Sequence, residues 1–345
     1  MRHLILAVAF VLHVVATGAH ADRVTPAADE QFNMPFGVDK DAAGSLYVIE
    51  YGGNVVRKIG TDGVVSTVAG TGRKGPAGDG GPAAQAELSS PHALALDREG
   101  NIYVADTNNH RVRRIDAKSG QISTFAGTGV QGFSGDGGPA KDAQFGGIYC
   151  VVFDPKFGRL ICTDLDNRRI RGIDMKTGVV TTVAGNGQKG VPPDGAEAAK
   201  SPLVDPRAAV MDAQGNVYVL ERSGHALRVV DPAGKIRTVA GTGKKGADGD
   251  GGPARQATLN GPKHLCVDSN GDVIIADTEN HLIRKYVTKD GTMVRVAGSG
   301  RPGKGGIGGP PERVELNKPH GVFLDAKGAL YVSDSENGRV LKIVP

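Results

Sequence analysis

Short apolar runs alternate with polar turn clusters along most of the chain, and the stretch from Pro91 to Gly127 shows the pattern most clearly. Four runs (HALAL, IYVA, RVRRI and ISTFA) are separated there by clusters of Gly, Asp and Asn. Runs of this length, rich in β-branched residues and bounded by turn formers, are typical of strands joined by hairpins. The stretch therefore predicts a four-stranded antiparallel unit.

The same unit recurs six times, at steps of 56 to 58 residues. An acidic residue closes the second strand of every copy: Glu50, Asp106, Asp164, Glu221, Asp277 and Asp334. One residue stands at the start of each first strand: Pro35, Pro91, Ile148, Pro206, Pro262 and Pro319. A repeat of this period with four strands per copy indicates an all-β fold, a six-bladed β-propeller of four-stranded antiparallel blades.

Residues 1–21 differ from the repeats. Arg2 and His3 precede an apolar run from Leu4 to Val15, and Ala19-His20-Ala21 follows. A basic start, a short apolar segment and an A-x-A ending predict a secretory signal peptide; the alternative, a membrane anchor, needs a longer run. We expect a secreted or periplasmic protein without a membrane span in the mature chain.

The remaining chain divides into a lead-in, residues 22–33, and a propeller, residues 34–345. The last copy ends after its third strand, so its blade lacks a fourth strand at the C-terminus. An unpaired sheet edge favours pairing with another segment. We expect Asp22–Thr25 to supply the strand that closes the ring.

Composition excludes some classes of function. The net charge of +4 is small for 345 residues and gives no support to nucleic-acid binding. The three cysteines, Cys150, Cys162 and Cys266, have neither a disulfide framework nor metal-ligand spacing. We expect a monomer.

The copies resemble the NHL repeat, best seen in DTNNHRVRRI (residues 106–115) and DSENGRV (residues 334–340). The resemblance covers nearly all of residues 34–345. It implies a propeller, whereas NHL propellers include sensor and adhesion domains, RNA-binding domains and an amidating lyase with a channel metal. The GDGGPA loop between copies is similar to NHL modules of secreted bacterial proteins.

The Gly-rich loops contain five copies of G-x-G-x-x-G, each after a strand. Dinucleotide binding also requires a following helix, and here each copy runs into more Gly and Pro. We interpret them as loops between blades. Four aspartates recur in these loops: Asp79, Asp136, Asp194 and Asp250. They favour turn capping, with surface Ca²⁺ binding as the alternative.

A rule separates architecture from function: residues shared by the copies serve the blade, and residues that differ are free to serve a ligand. An arginine recurs in the third strand of five copies, which predicts arginine–carboxylate bracing; it is Arg57, Arg113, Arg171, Arg228 and Arg284. The residue directly after the start of each first strand varies among the copies and should surround one mouth of the channel: Phe36, His92, Tyr149, Arg207, Lys263 and His320.

These six residues support two classes of function. In the lyase-type NHL propellers that the chain resembles, histidines on alternate blades hold a channel metal, and His92 and His320 match them. A zinc or calcium ion would then assist a lyase or hydrolase, although Arg207 stands at the third position and two histidines do not complete a zinc site. The other class is a binding module without a cofactor, holding a protein, a glycan or a small anionic ligand through Arg207, Lys263 and the histidines. We expect the binding module; no catalytic residue can be named.

Overall fold

The structure is a computed structural model that describes residues 22–154, 156 and 158–344. The predicted signal peptide lies outside the described residues. Within them, helical structure is confined to three-residue 3₁₀ turns, and every longer element is a strand. The all-β prediction is confirmed.

Six sheets form the blades, and each follows the chain in a simple meander. The first strand of the chain is β1 (Arg23–Pro26). Blade 1 contains β2 (Pro35–Lys40), β3 (Leu46–Glu50), β4 (Val55–Ile59) and β5 (Val65–Ala69). Blade 2 contains β6 (Leu94–Leu96), β7 (Ile102–Asp106), β8 (Arg111–Ile115) and β9 (Ile122–Ala126). Blade 3 contains β10 (Ile148–Asp154), β11 (Arg159–Asp164), β12 (Arg169–Asp174) and β13 (Val180–Ala184).

The second half of the ring repeats this order. Blade 4 contains β15 (Pro206–Met211), β16 (Val217–Glu221), β17 (Ala226–Val230) and β18 (Lys235–Ala240), with β14 (Ala196–Glu197) added at its outer edge. Blade 5 contains β19 (His264–Val267), β20 (Val273–Asp277), β21 (Leu282–Val287) and β22 (Thr292–Ala297). Blade 6 contains β23 (Pro319–Leu324), β24 (Leu330–Asp334) and β25 (Arg339–Val344).

The N-terminal strand closes the ring. β1 pairs antiparallel with β25, with Val24 opposite Ile343, and so becomes the fourth strand of blade 6. Val24 is fully buried, whereas its neighbour Thr25 is exposed. Blade 6 therefore also has four strands, and the first and last strands of the described chain are joined in one sheet.

Apolar side chains between the blades form the core. One large side chain of each interblade loop is buried under the following blade: Phe32, Leu88, Phe145, Leu203, Leu259 and Leu316. Blades 1 and 2, for example, share a cluster in which Ile49 and Val56 pack with Leu94 and Val104. Because each sheet buries its faces against its neighbours, a single blade could not form this core.

The acidic residue that closes the second strand has the same architectural role in all six copies. Each carboxylate accepts a backbone N–H from the residue 17 positions earlier, or 18 in blade 3, as Asp106 does from Ser89 at 2.7 Å. Because the carboxylate belongs to the end of the second strand and the N–H to the preceding loop, the bond fixes the loop against its blade. This role explains why the acidic residue recurs in all copies.

The predicted arginine braces are confirmed. Arg113 pairs with Asp79 of the preceding loop at 2.8 Å and with Asp106 of its own blade at 3.4 Å. The same three-part arrangement recurs at Arg171 and Arg284. Three of the recurring loop aspartates, Asp79, Asp136 and Asp250, thus bind arginines. The copy that lacks the arginine, with Leu341 in its place, uses Arg339, which binds Asp334 at 2.7 Å.

Three histidines occupy equivalent positions in the second-to-third turns of blades 2, 4 and 5. His110, His225 and His281 are each half-buried and adopt a positive φ. Their Nδ1 atoms bind the backbone of the next interblade segment, at Gly146, Gly261 and Lys318 respectively. These side chains therefore connect adjacent blades.

Candidate ligand site at the channel mouth

The six residues predicted to surround the mouth follow the start of each innermost strand, where the pairing register is irregular. Register shifts occur beside Phe36, Tyr149, Arg207 and His320. Such bulges redirect a side chain out of the regular alternation of a strand. At Gly321 the backbone lies so close to the carbonyl oxygen of Phe36 that a Cβ atom would not fit. The bulges and this glycine bring the innermost strands together at the mouth.

Aromatic rings fill much of the space between the strands. Phe36 stacks on His320 with ring centroids 3.5 Å apart and on Tyr51 at 4.5 Å. His92 lies 5.4 Å from Phe36 and 4.4 Å from Tyr149. These rings form a continuous aromatic group across blades 1, 2, 3 and 6.

Arg207 completes this group from blade 4. Its guanidinium donates to the Tyr149 carbonyl oxygen at 3.3 Å and to His320 Nε2 at 3.0 Å, and it lies 4.8 Å from the centre of the Tyr149 ring. The residue is only 2% exposed. Burial lowers the pKa of Arg207 to about 10, which still leaves the side chain charged at neutral pH.

Arg207 has no ion pair with a carboxylate among the described residues. The carboxylate of Asp205 acts on the pKa of Arg207 through its charge alone. It binds Arg222 at 2.9 Å and the Ser223 hydroxyl at 2.6 Å. Lys263, the remaining cation of the predicted ring, pairs with Glu279 at 2.9 Å. The mouth therefore carries one buried positive charge without a counter-ion.

The histidines around Arg207 are neutral. Burial, reinforced by the positive field of Arg207, holds the pKa of both His92 and His320 well below the usual range. Because His320 Nε2 accepts from Arg207, its Nδ1 carries the proton, and that buried atom has no hydrogen-bond partner. His92 Nδ1 binds the Ser90 carbonyl oxygen at 2.8 Å and the Thr107 hydroxyl at 2.9 Å.

Two further residues of the mouth were missed by the sequence reasoning. Tyr51 stacks on Phe36, and the charge of Arg222 contributes to the lowered pKa of His92. Both directly follow the acidic residue that closes the second strand. This position also varies among the copies: Tyr51, Thr107, Leu165, Arg222, Thr278 and Ser335. The rule that selected the six residues after the first-strand start, namely variation among the copies, would also have selected this position.

The donor set at the mouth does not fit a divalent metal ion. His320 Nε2, which would have to ligate the ion, binds a guanidinium instead, and the ring centres of His92 and His320 are 6.3 Å apart. Among the described residues, no group of three or more His, Cys, Asp or Glu side chains could hold an ion. The zinc or calcium site on His92 and His320 stays a prediction, and with it the metal-assisted lyase or hydrolase.

The part of the chain that the structure describes contains no helix long and apolar enough to cross a bilayer. Its three cysteines are free thiols, with Cys150 and Cys162 buried and Cys266 half-buried.

Comparison with known proteins agrees with the fold. The sequence profile described as NHL repeat matches residues 88–115, 259–286 and 316–343. NHL repeat-containing protein 2 from Bos taurus is 27% identical over 288 residues, which cover 74% of this chain and 39% of that protein. This chain thus spans about two-fifths of the length of that relative.

Two solved structures extend the comparison. An auxiliary nutrient binding protein from Bacteroides thetaiotaomicron superposes with a TM-score of 0.66 at 17% identity, covering 93% of this chain and 71% of that one. Virginiamycin B lyase from Staphylococcus aureus superposes with a TM-score of 0.55 at 12% identity, covering 94% and 99%. At these identities the likeness concerns the fold alone. The matched profile identifies NHL repeats in three of the six copies, and the repeats and the sheet order show that the chain folds as a six-bladed β-propeller.

Proposed function

We propose that the protein is a non-enzymatic binding module that holds a small organic anion at the channel mouth. The observation that carries the proposal is Arg207, a buried cation without a carboxylate partner among the described residues. Removing a cation from water costs several kcal/mol unless an anion compensates it. A bound anion would supply that compensation.

The other buried arginines support this interpretation by contrast. Arg113, Arg171, Arg228 and Arg284 are each 0–3% exposed, and each pairs with at least one carboxylate of the chain. The fold thus provides a counter-ion where an arginine acts as a brace. Arg207 is the exception in the described residues, at a position where no other blade has an arginine.

The surroundings of Arg207 suit an organic anion better than a simple ion. Tyr51 and Tyr149 contribute aromatic rings, and aromatic faces bind planar apolar groups favourably. The unpartnered Nδ1–H of His320 is a further donor beside the guanidinium. Guanidinium groups bind carboxylates through paired, charge-assisted hydrogen bonds. A carboxylate on a small aromatic or apolar body fits this combination.

Of the three partner classes that the sequence left open, a protein, a glycan or a small anion, these features favour the small anion. The structural neighbour described as an auxiliary nutrient binding protein makes a binding role reasonable for this fold.

Export is part of the proposal: residues 1–21 would be removed, and the mature protein would be secreted or periplasmic. Cell fractionation with N-terminal sequencing tests export; a cytoplasmic chain that keeps residue 1 would contradict it.

Isothermal titration with phenylacetate tests the binding role. We expect saturable binding to the wild type and, because one charged carboxylate contact is lost, at least about tenfold weaker binding to Arg207→Met. The variant Arg255→Met is the matched control, since it removes the same charge from an exposed interblade turn. The neutral analogue 2-phenylethanol should bind at least about tenfold more weakly than phenylacetate, for the same reason.

Two results would overturn the proposal. One is equal affinity of wild type and Arg207→Met for phenylacetate, with both proteins folded by circular dichroism. The other is binding of 2-phenylethanol as tight as that of phenylacetate, which would show that the anionic group contributes nothing.

A further inference from the structure

A cavity of about 390 Å³ lies at the opposite end of the channel, away from the mouth described above. Its lining comes from the distal part of the innermost strand of all six blades, including Val38, Leu94, Val151, Val210, Leu265 and Val322. A cavity of this size is within the range of small-molecule sites. The sequence reasoning concentrated on one mouth and did not predict it.

Most of the lining of this distal cavity is apolar, and the innermost strand of blade 1 differs from those of the other blades. Four residues after the residue that starts the first strand, five blades carry an apolar side chain or a thiol: Ala95, Val152, Val210, Cys266 and Phe323. Blade 1 has Asp39 there. At the next position, five blades again carry apolar residues, and blade 1 has Lys40. One blade thus departs from the shared pattern at two adjacent positions.

Asp39 has no cationic partner among the described residues. Its carboxylate accepts the backbone N–H groups of Lys40 at 2.7 Å and Leu96 at 2.9 Å. The Lys40 ammonium points elsewhere, to Asp325 at 2.7 Å and the Tyr331 hydroxyl at 3.1 Å. Burial raises the pKa of Asp39 to about 6, so the group is ionised above neutral pH.

The other polar groups of the cavity do not replace that partner. Asp41 accepts from the Ser45 N–H and the Tyr47 hydroxyl, Asp97 accepts from Asn101, and Arg98 is exposed. His264 is neutral, because burial lowers its pKa to about 4. The cavity therefore combines apolar side chains with Asp39, a carboxylate without a cationic partner among the described residues.

We propose that the distal cavity is a second ligand site, which binds a small apolar primary amine with its ammonium group on Asp39 and its hydrocarbon body against the apolar wall. An ammonium ion provides the charge-assisted hydrogen bonds that a buried carboxylate lacks. Arg207 lies one residue after the start of its innermost strand, whereas Asp39 lies four residues after the start of its own. The difference of three residues corresponds to about 10 Å along a strand. The cation site and the anion site thus occupy different ends of the channel, and neither proposal depends on the other.

Isothermal titration with phenethylamine at pH 7.5 tests this site. We expect saturable binding to the wild type and at least about tenfold weaker binding to Asp39→Asn, because the ammonium–carboxylate contact is lost. Asp62→Asn removes the same charge from an exposed turn of the same blade and should bind as the wild type does. The anion 3-phenylpropionate, which has a similar body, should not compete with phenethylamine.

A second variant guards against misfolding of Asp39→Asn. Val152→Phe fills the cavity with a side chain that blade 6 already has at the equivalent position, Phe323, and should abolish phenethylamine binding while phenylacetate binding persists. The proposal fails if the wild type shows no saturable binding, if Asp39→Asn binds as the wild type does, or if Val152→Phe leaves the affinity unchanged. Loss of phenylacetate binding alone would count against the anion site only.

Discussion

Five arginines are buried in the described part of the chain, and they fall into two groups. Four have carboxylate partners in their own blade or in the adjoining loop. Arg207 has a carbonyl oxygen, a neutral imidazole and an aromatic ring instead. A brace and a binding residue should respond differently to loss of the charge.

Replacing each arginine by methionine measures that difference. Arg228→Met leaves the fully buried Glu221 without its partner, now 2.7 Å away, and should lower the free energy of unfolding by about 3–5 kcal/mol. Arg207→Met leaves no carboxylate unpaired and should cost at least about 2 kcal/mol less than that. Chemical denaturation measures both. Equal losses would mean that Arg207 is a structural brace.

The pH dependence of phenylacetate binding follows from the pKa shifts at the mouth. Burial lowers the pKa of His92 and His320, so neither contributes a charge near neutral pH. Burial also raises the pKa of Tyr149 and lowers that of Arg207 to about 10. We expect a constant affinity between roughly pH 7 and 9 and a decline as the pH rises through the pKa of Arg207.

Lys263 also faces the mouth, and its pKa is lowered by burial. The variant Lys263→Met separates its titration from that of Arg207 and should retain the decline. A decline between pH 6 and 7 instead would show that a protonated histidine binds the anion, contrary to the charge states given above.

The chemistry of the mouth was only partly predictable at this scale. The ring position was found because it differs among copies, and five of its six residues contact one another. What the sequence did not indicate is which cations are already paired. Lys263 has Glu279 and Arg222 has Asp205, and these pairs depend on distances between residues about 16 positions apart.

At the scale of elements, the repeat determines nearly all strands, because every copy encodes its own turns and apolar alternation. The departures occur where a segment has no equivalent in the other copies. β14 adds a fifth strand to blade 4, where the interblade loop reads Ala196–Glu197 before its 3₁₀ turn. The pairing of β1 with β25 was predicted from the missing fourth strand of blade 6, since the four residues of β1 carry too little pattern to identify a strand by themselves. The strand is Arg23–Pro26, one residue later than expected.

The closing strand should make a measurable contribution to stability. Val24→Ala removes two buried carbon atoms and should lower the free energy of unfolding by about 1–3 kcal/mol. Thr25→Ala, in the same strand but exposed, is the control and should change it by less than about 0.5 kcal/mol. Thermal and chemical denaturation of both variants measure the effect. Indistinguishable small effects would indicate that β1 contributes little to closure.

At the scale of the whole molecule, the channel has two chemically different ends. One end carries a buried unpaired cation among aromatic rings, and the other carries an unpaired carboxylate in an apolar cavity. The six-fold repeat predicts the channel, because it requires six innermost strands around one axis. It cannot predict which end is open, since that depends on side-chain volume summed over all blades.

Metal analysis tests the remaining alternative for the whole protein. We expect no stoichiometric zinc or calcium in protein purified without chelators. The His320 nitrogen that would ligate the ion already accepts a hydrogen bond from the positively charged Arg207. Elemental analysis of wild type and His92→Ala provides the measurement. One metal ion per chain, lost in His92→Ala, would favour the lyase or hydrolase.

The most direct test of the account is a crystal soaked with 4-bromophenylacetate, in which anomalous scattering locates the bromine. The account predicts bromine at the mouth formed by Phe36, Tyr51 and Tyr149, with a carboxylate oxygen about 2.7–2.9 Å from the Arg207 guanidinium. Bromine in the distal cavity or elsewhere on the surface, with the mouth unchanged, would contradict it.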